Sequence, residues 1–402
     1  MQICICRVRV EYVKLEEICT IVSGGTPSRS KPNYWNNGNI PWIKIKDMKS
    51  KYIDSAEEFI TEEGLNNSST KMLKRDTILY SIFATLGEVG ILKIDACTNQ
   101  AIAGLSLKED SNILKEYLYY YLKSKKKDVN NLGRGVAQNN INLSLLRKFK
   151  IPVIPLRQQK KIIEVLDNVS STINNYEREL ALLDELVKAR FVEMFGDPNI
   201  EFKYSSVKFN DLVARMTKGP FGSDMKKDLF VPKGEDTYKV YIQINAIQKN
   251  QSLGEYYISK EYFDRKVSRF ELFPNDYIIT CDGTLGKYLK LDENMEKGVI
   301  SPSLLRLTLQ NDKINDKYFE NIWDFYMLGL MKKEARNACL VHLPSAKKIG
   351  EISIPVPPLE LQNQFASFVQ EIDKSRLLNI CLKSLVESVL KIRIFSEYKK
   401  SS

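Results

Sequence analysis

Leu146-x-x-Phe149-x-Ile151-Pro152-Val153-x-Pro155-Leu156-x-x-Gln159 recurs as Ile349-x-x-Ile352-x-Ile354-Pro355-Val356-x-Pro358-Leu359-x-x-Gln362. Each copy leads into a long stretch with helical apolar spacing. One unit present twice is too few for a solenoid, which needs about three stacked repeats. Two copies point to a pseudo-twofold internal repeat. That layout suits a ligand with two half-sites, such as duplex DNA.

After Gln159 the apolar residues Ile162, Leu166, Val169, Ile173, Tyr176, Leu180, Leu183, Val187 and Met194 keep a 4-3-4-3 spacing, broken only where Arg190 takes the seam. This is coiled-coil periodicity. It predicts a helix from Gln158 to Phe195, stopped by Gly196 and Pro198 and roughly 55 Å long at 1.5 Å per residue. The second copy shows Leu361, Phe365, Phe368 and Ile372, then Leu378, Leu382, Leu385, Val389 and Ile392, with the phase slipping by one residue after Ile372. Each helix alone would leave an apolar seam in water, so the pair is expected to pack antiparallel. Ordinary core helices of a single α/β enzyme are the alternative, but such helices average three to four turns.

Working back from each motif, the two halves run in parallel. Leu15-x-Glu17-Ile18-x-x-x-Val22-x-x-Gly25 matches Phe209-x-Asp211-Leu212-x-x-x-Met216-x-x-Gly219, read as a short helix stopped by glycine. Trp42-Ile43-Lys44-Ile45 matches Tyr241-Ile242-Gln243-Ile244, read as a strand. Asp76 to Tyr80 matches Asp276 to Thr280, each followed by Thr-Leu-Gly, read as a tight turn. The spacing between copies drifts from about 194 to about 203 residues, so length differences accumulate in the modules, where loops vary freely. The expected class is therefore α+β, with two mixed α/β modules separated by two long antiparallel helices. The expected boundaries are residues 1–150, 151–197, 198–353 and 354–402.

The 402 residues carry a net charge of +10. The excess divides evenly, about +5 on either side of residue 200, so it belongs to both halves and favours a polyanionic partner. Seven scattered cysteines without a C-x-x-C pair read as reduced core residues of a cytoplasmic protein. The single histidine, His342, leaves little material for zinc or for a His-based catalyst and reads as a loop or groove residue. The opening MQICICRVRV lacks the apolar run of a signal peptide, and no stretch approaches a membrane span.

Catalytic signatures are missing as a set. The only Pro-Pro, Pro357-Pro358, follows Val356 rather than the Asp or Asn of a methyltransferase element. Gly283-Thr284-Leu285-Gly286-Lys287-Tyr288 has the wrong spacing for a phosphate-binding loop. Asp47-Met48-Lys49 and Asp224-Met225-Lys226 resemble the last element of a metal-dependent nuclease, a pattern that arises easily by chance in a charged chain. A stand-alone DNA-acting enzyme and a protein-only coiled-coil scaffold remain the alternatives to a DNA reader.

A reader needs lysine and arginine for phosphates, and arginine, glutamine and asparagine for base edges. In the first module the candidates are Arg29, Lys31, Lys44, Lys46, Lys74, Arg75, and Arg134, Gln138, Asn139 and Asn140 of a glycine-flanked loop. That loop reads equally well as a turn whose asparagines cap helices. The run Lys125 to Lys127 reads as a solvated helix end. In the second module they are Lys218, Lys226, Lys227, Gln243, Asn245, Arg265, Lys266, Arg269, Lys287 and His342, with Gln243 and Asn245 placed together on one strand face.

The double motif, the Phe191-Val192-Glu193-Met194-Phe195-Gly196 helix end and the two-module layout resemble the specificity subunit of type I restriction-modification systems, over nearly the whole chain. The resemblance implies a non-catalytic DNA-reading subunit with two target recognition domains, each reading half of a bipartite target in double-stranded DNA. It further implies a helical spacer that docks two modification subunits, and restriction subunits beyond them. No cofactor is expected in this chain; S-adenosylmethionine, ATP and magnesium would sit on those partners. The second copy departs by carrying Leu361 before Gln362, so its docking surface is expected to differ in detail from that of the first.

Overall fold

A computed structural model describes residues 11–133, 140–197, 200–248, 255–336 and 342–392. The chain is α+β and divides into two compact units, residues 1–177 with 380–402, and residues 178–379. Each unit thus holds one module and a part of both long helices.

The first unit is built on a five-stranded sheet in the order Cys19–Ser23, Ile102–Leu107, Ile78–Ser81, Val89–Leu92, Tyr52–Ile53. A separate three-stranded sheet has the order Glu58–Ile60, Ile40–Ile43, Cys97–Thr98, antiparallel in its first pair and parallel in its second. The second unit repeats the plan. A four-stranded sheet runs Val213–Lys218, Leu304–Leu309, Tyr277–Thr280, Tyr288–Lys290, and a second runs Tyr256–Ser259, Thr237–Tyr241, Gly298–Ile300, Glu271–Leu272. Near-continuous apolar runs such as Ile78-Leu79-Tyr80 and Tyr277-Ile278-Ile279 supply the central strands, which are buried on both faces.

Two sequence expectations are corrected here. The opening helix is a single turn, Leu15–Ile18, and Phe209–Leu212 is a 3-10 turn; strands follow both directly, so Val22 and Met216 are strand residues. A four-residue apolar spacing over so short a span fits either element, and pairing with Ile102–Leu107 and Leu304–Leu309 decides it. Likewise the strand Thr237–Tyr241 stops before Gln243, which opens the helical turn Gln243–Ala246; Ile40–Ile43 stops before Lys44. Gln243 and Asn245 are therefore not on a strand.

The repeated proline motif is a lock between module and helix. Its Ile-Pro-Val segment forms a strand, Lys150–Val153 paired antiparallel with Glu11–Lys14, and Ser353–Pro355 paired with Ser206–Lys208. The glutamines are fully buried. Gln159 Oε1 accepts the Leu114 N–H at 2.8 Å, and its Nε2 donates to the Asn112 and Ile154 carbonyls. Gln362 does the same with the Asn315 N–H at 2.8 Å and the Lys313 and Pro357 carbonyls. Tyr117 and Tyr318 donate to the Pro152 and Pro355 carbonyls. Buried backbone groups in an irregular segment need partners, and these side chains supply them.

The first long helix spans Leu156–Phe195 and ends at Gly196, whose φ of +90° favours glycine. The second spans Leu359–Ile392. In the second unit Phe191 and Phe195 pack on Phe365 at ring separations of 5.6 and 5.4 Å, and Arg376 pairs with Asp184 at 2.6 Å, so the helices run antiparallel there. In the first unit Lys383 pairs with Glu177 at 2.7 Å.

The expected phase slip in the second helix is absent, which is a third correction. Phe365, Val369, Ile372, Arg376, Asn379, Lys383 and Val386 turn inward at unbroken 4-3 spacing. Polar side chains occupy the seam because partners on the facing helix accept them, as Asp184 does for Arg376. Leu378 and Leu385, expected in the seam, are 59% and 61% exposed, and Phe368 and Leu382 lie half-buried at its edge. Side-chain burial of Val389 lies outside the described residues. On the first helix Leu166 and Val187 are buried, and Val169, Ile173, Tyr176, Leu180 and Leu183 are half-buried along one stripe. Leu361 packs against the core of the second unit instead of facing solvent.

Candidate nucleic-acid interface

In each unit the loops at one end of the sheets converge through equivalent backbone bonds. Gly24 N donates to Ile102 O, and Asn99 N to Ile43 O; Gly219 N donates to Leu304 O, and Ser301 N to Tyr241 O. The glycines are required by close approach: a Cβ on Gly24 would lie 2.2 Å from Asn99 O, and one on Gly219 would lie 2.0 Å from Ser301 O. Ile141 N donates to Ile82 O, and Leu343 N to Cys281 O, which brings Asn140 against Phe83 and His342 against Asp282 at matching places. The Thr-Leu-Gly segments close hairpin turns in which the Ser81 and Thr280 hydroxyls donate to the Thr85 and Thr284 carbonyls.

The first unit gathers Arg29, Lys31, Lys44 and Lys46 at this end. Arg29 stacks over Trp35 at 3.5 Å and shares Glu58 with Lys44. Burial works to raise the Glu58 carboxyl, but the hydrogen bonds from Lys44 and Arg29 hold it below its usual range. Lys31 donates to Tyr34 at 2.9 Å, which raises its ammonium, and Lys46 is raised by its bond to Glu57. Arg29, Lys44 and Lys46 are thus partly neutralised within the fold by Glu58 and Glu57, and their worth to phosphates is reduced accordingly. Lys74 and Arg75 sit elsewhere, both bonded to Asp95, the lysine at 2.8 Å through Nζ and the arginine through its backbone N–H. Arg134, Gln138 and Asn139 lie outside the described residues. The Lys125–Lys127 run joins two helices, Lys115–Ser124 and Lys126–Gly133, with Lys125 paired to Asp128 and Lys126 to Glu88.

The second unit gathers Lys218, Gln243 and His342. Gln243 Nε2 lies 3.9 Å from where a Cβ on Gly283 would stand, and His342 Nδ1 shares a hydrogen bond with Asp282. Exposed Lys287 follows the same turn. Lys226 and Lys227 are exposed on the neighbouring 3-10 turns. Arg265, Lys266 and Arg269 occupy a separate helical segment, with Arg265 5.8 Å over Tyr262 and Arg269 4.5 Å over Phe270. Asn245 lies on the turn Gln243–Ala246, and its side chain lies outside the described residues.

Sequence reasoning missed Trp35, Gln100, Phe221 and Asp282, all placed at these ends by the fold. Apart from the position of Phe221 two residues after a matched glycine, no sequence signal marks them. Reactive groups are sparse. Burial pushes the Cys19 and Cys281 thiols up to about 12 and Cys97 to about 11, so these are core residues, not nucleophiles. Asp47 caps a 3-10 turn by accepting the Lys44 N–H at 2.7 Å. Among the described residues no three His, Cys, Asp or Glu side chains are grouped to hold a metal, and no helix is long and apolar enough to cross a membrane.

Comparison with known proteins agrees with this architecture. The specificity subunit of the EcoR124I/EcoR124II type I restriction enzyme from Escherichia coli is 34% identical over 188 residues, 45% of this chain and 46% of that protein. The MjaIX specificity subunit of Methanocaldococcus jannaschii is 25% identical across 96% of this chain and 93% of its own length. Two solved structures share the fold: the S subunit of a type I restriction-modification system from M. genitalium, with a TM-score of 0.51, 14% identity and 96% coverage of both chains, and a chain from a study of type I R-M complex assembly, with a TM-score of 0.58, 13% identity and 95% coverage of both. The family model described as the type I restriction modification DNA specificity domain matches residues 7–184 and 222–387. With two such domains over most of its length, the chain belongs to the type I restriction-modification DNA specificity family.

Proposed function

We propose that this chain reads a bipartite, asymmetric sequence in double-stranded DNA and carries two modification subunits to it, with restriction subunits joining that assembly. The observation that carries the reading is the pair of matched loop ends, each mounted on a long helix by the same glutamine lock. Loops held this way can change their side chains, and hence their base preference, without disturbing the mounting. The 40-residue first helix spans about 60 Å, and we assign its length the role of setting the gap between half-sites.

Partner docking is supported by what the helices leave outside their seam. In the second unit Leu182, Leu186, Leu377 and Leu378 are between 46% and 64% exposed; in the first, Ile380 and Leu385 are 52% and 61% exposed. Apolar side chains clustered on a solvated helix pair mark a surface for other helices. Methyl transfer with S-adenosylmethionine, and ATP- and magnesium-dependent steps, belong in this reading to the partners.

The test is a footprint on duplexes selected from a random pool. Two protected patches with a fixed gap are expected, weakening steeply with salt. Methylation of adenine should need both this chain and a modification subunit. A single patch, or methylation by this chain alone, would refute the assignment. Metal-dependent cleavage lost in Asp47→Ala or Asp224→Ala would instead establish the enzyme alternative.

A further inference from the structure

The two loop ends are alike in backbone and unlike at one slot. The strand pairing and backbone bonds match Gly219 with Gly24, one residue before the Gly25 of the sequence alignment, so Thr26 of the first unit stands where Phe221 stands in the second. Counting from the matched Asn99 and Ser301, Gln100 stands where Pro302 stands. In the first unit the pair is polar and joined, the Thr26 hydroxyl donating to Gln100 Oε1. In the second it is apolar, and Phe221 is 76% exposed.

Phe221 is exposed on a fixed mount. Gly219 seats against Ser301, Pro220 is buried, Asp224 N donates to Phe221 O at 2.9 Å, and Tyr262 donates to Asp224 O at 3.0 Å. Gly222 beside it has open space around its Cα. Lysines 218, 226 and 227 flank the loop. A large aromatic ring held out in water among lysines gains nothing for the fold, since its burial would be worth about 2 kcal/mol.

We infer that Phe221 is a specificity residue that packs on the 5-methyl group of a thymine in the half-site read by the second module. This rests on the DNA-reading role proposed above. The slot carries hydrogen-bonding groups in one module and a bare ring in the other, which is what reading different base edges requires. The methyl of thymine is the one apolar group a base pair displays in the major groove. A ring inserted between base pairs is the other use of an exposed phenylalanine, and such a wedge would act on every duplex alike, whether or not the thymine methyl is present.

The test uses the full chain assembled with its modification subunits. Duplexes are first selected from a random pool; failure to enrich a bipartite sequence would overturn the DNA-reading role itself. Each thymine of the selected sequence is then replaced by uracil, which removes only the methyl. One replacement, in one half-site, should weaken binding about fourfold, the ratio given by one buried methyl group. Phe221→Ala should weaken binding to the thymine duplex and show no further loss with uracil, while Ile200→Ala, at another exposed apolar residue, keeps the fourfold ratio. Thermal unfolding of Phe221→Ala should match the parent. The inference is overturned if no thymine shows the effect, if Phe221→Ala retains it, or if the variant weakens all duplexes alike, as a backbone or wedge contact would.

Discussion

Replacing Gln362 by leucine keeps the side-chain volume roughly constant and removes all three hydrogen bonds of the Gln362 side chain. Three backbone groups then lose their partner: the Asn315 N–H and the carbonyls of Lys313 and Pro357. A buried donor without an acceptor costs about 1–3 kcal/mol, and carbonyls, with a second lone pair to use, fall at the low end. The sum is about 3–5 kcal/mol, a large share of a domain's stability. Gln159→Leu should cost the same in the first unit through Leu114, Asn112 and Ile154. Native-state hydrogen exchange reads the effect locally: the Asn315 amide should lose protection by a factor of more than a hundred in Gln362→Leu, and the Leu114 amide in Gln159→Leu. Gln158→Ala, at a half-buried neighbour, should stay within about 0.5 kcal/mol of the parent. A destabilisation below about 1 kcal/mol, with both amides unchanged, would show that the glutamines fill space and do not lock the junction.

Deleting one heptad between Leu166 and Leu180 should shorten the gap between half-sites while leaving each half-site sequence intact; altered half-sites would end the ruler interpretation. Leu182→Glu with Leu378→Glu should abolish co-purification with modification subunits at an unchanged melting temperature, since both side chains are already exposed. Glu296 is held at about 2, first by its hydrogen bond from Lys233 and then, against burial, by that from Lys239. Because its folded-state value is depressed, its contribution is present in full above about pH 5 and lost as pH falls toward 2. Denaturation of Glu296→Gln and parent should therefore differ most above pH 5 and converge near pH 2; a difference that grows with acid would reverse the sign.

The motif repeat, the two-module division and the seam of the first helix were legible because each rests on local periodicity, which packing obeys. Turn-length elements were not. Phe209–Leu212 and Gln243–Ala246 are too short for period to separate helix from strand, and sheet pairing chose. The apparent slip after Ile372 arose from counting apolar residues alone; Arg376 holds the seam because the fold provides Asp184 and Lys383 because it provides Glu177, partners that hydrophobicity cannot foresee. For the same reason four of the basic residues chosen as phosphate contacts, Arg29, Lys44, Lys46 and Lys74, proved to be tied to the carboxylates Glu58, Glu57 and Asp95.

By itself the sequence determined that this is a duplicated, basic chain with two modules, two heptad helices and no coherent catalytic set, because repeats, charge and periodicity are properties of order along the chain. Only the tertiary structure decided what the repeated glutamine does and which side chains share the loop ends. Those facts depend on contacts between segments such as Leu114 with Gln159, or Gly219 with Ser301, whose separation in sequence says nothing of their distance in space.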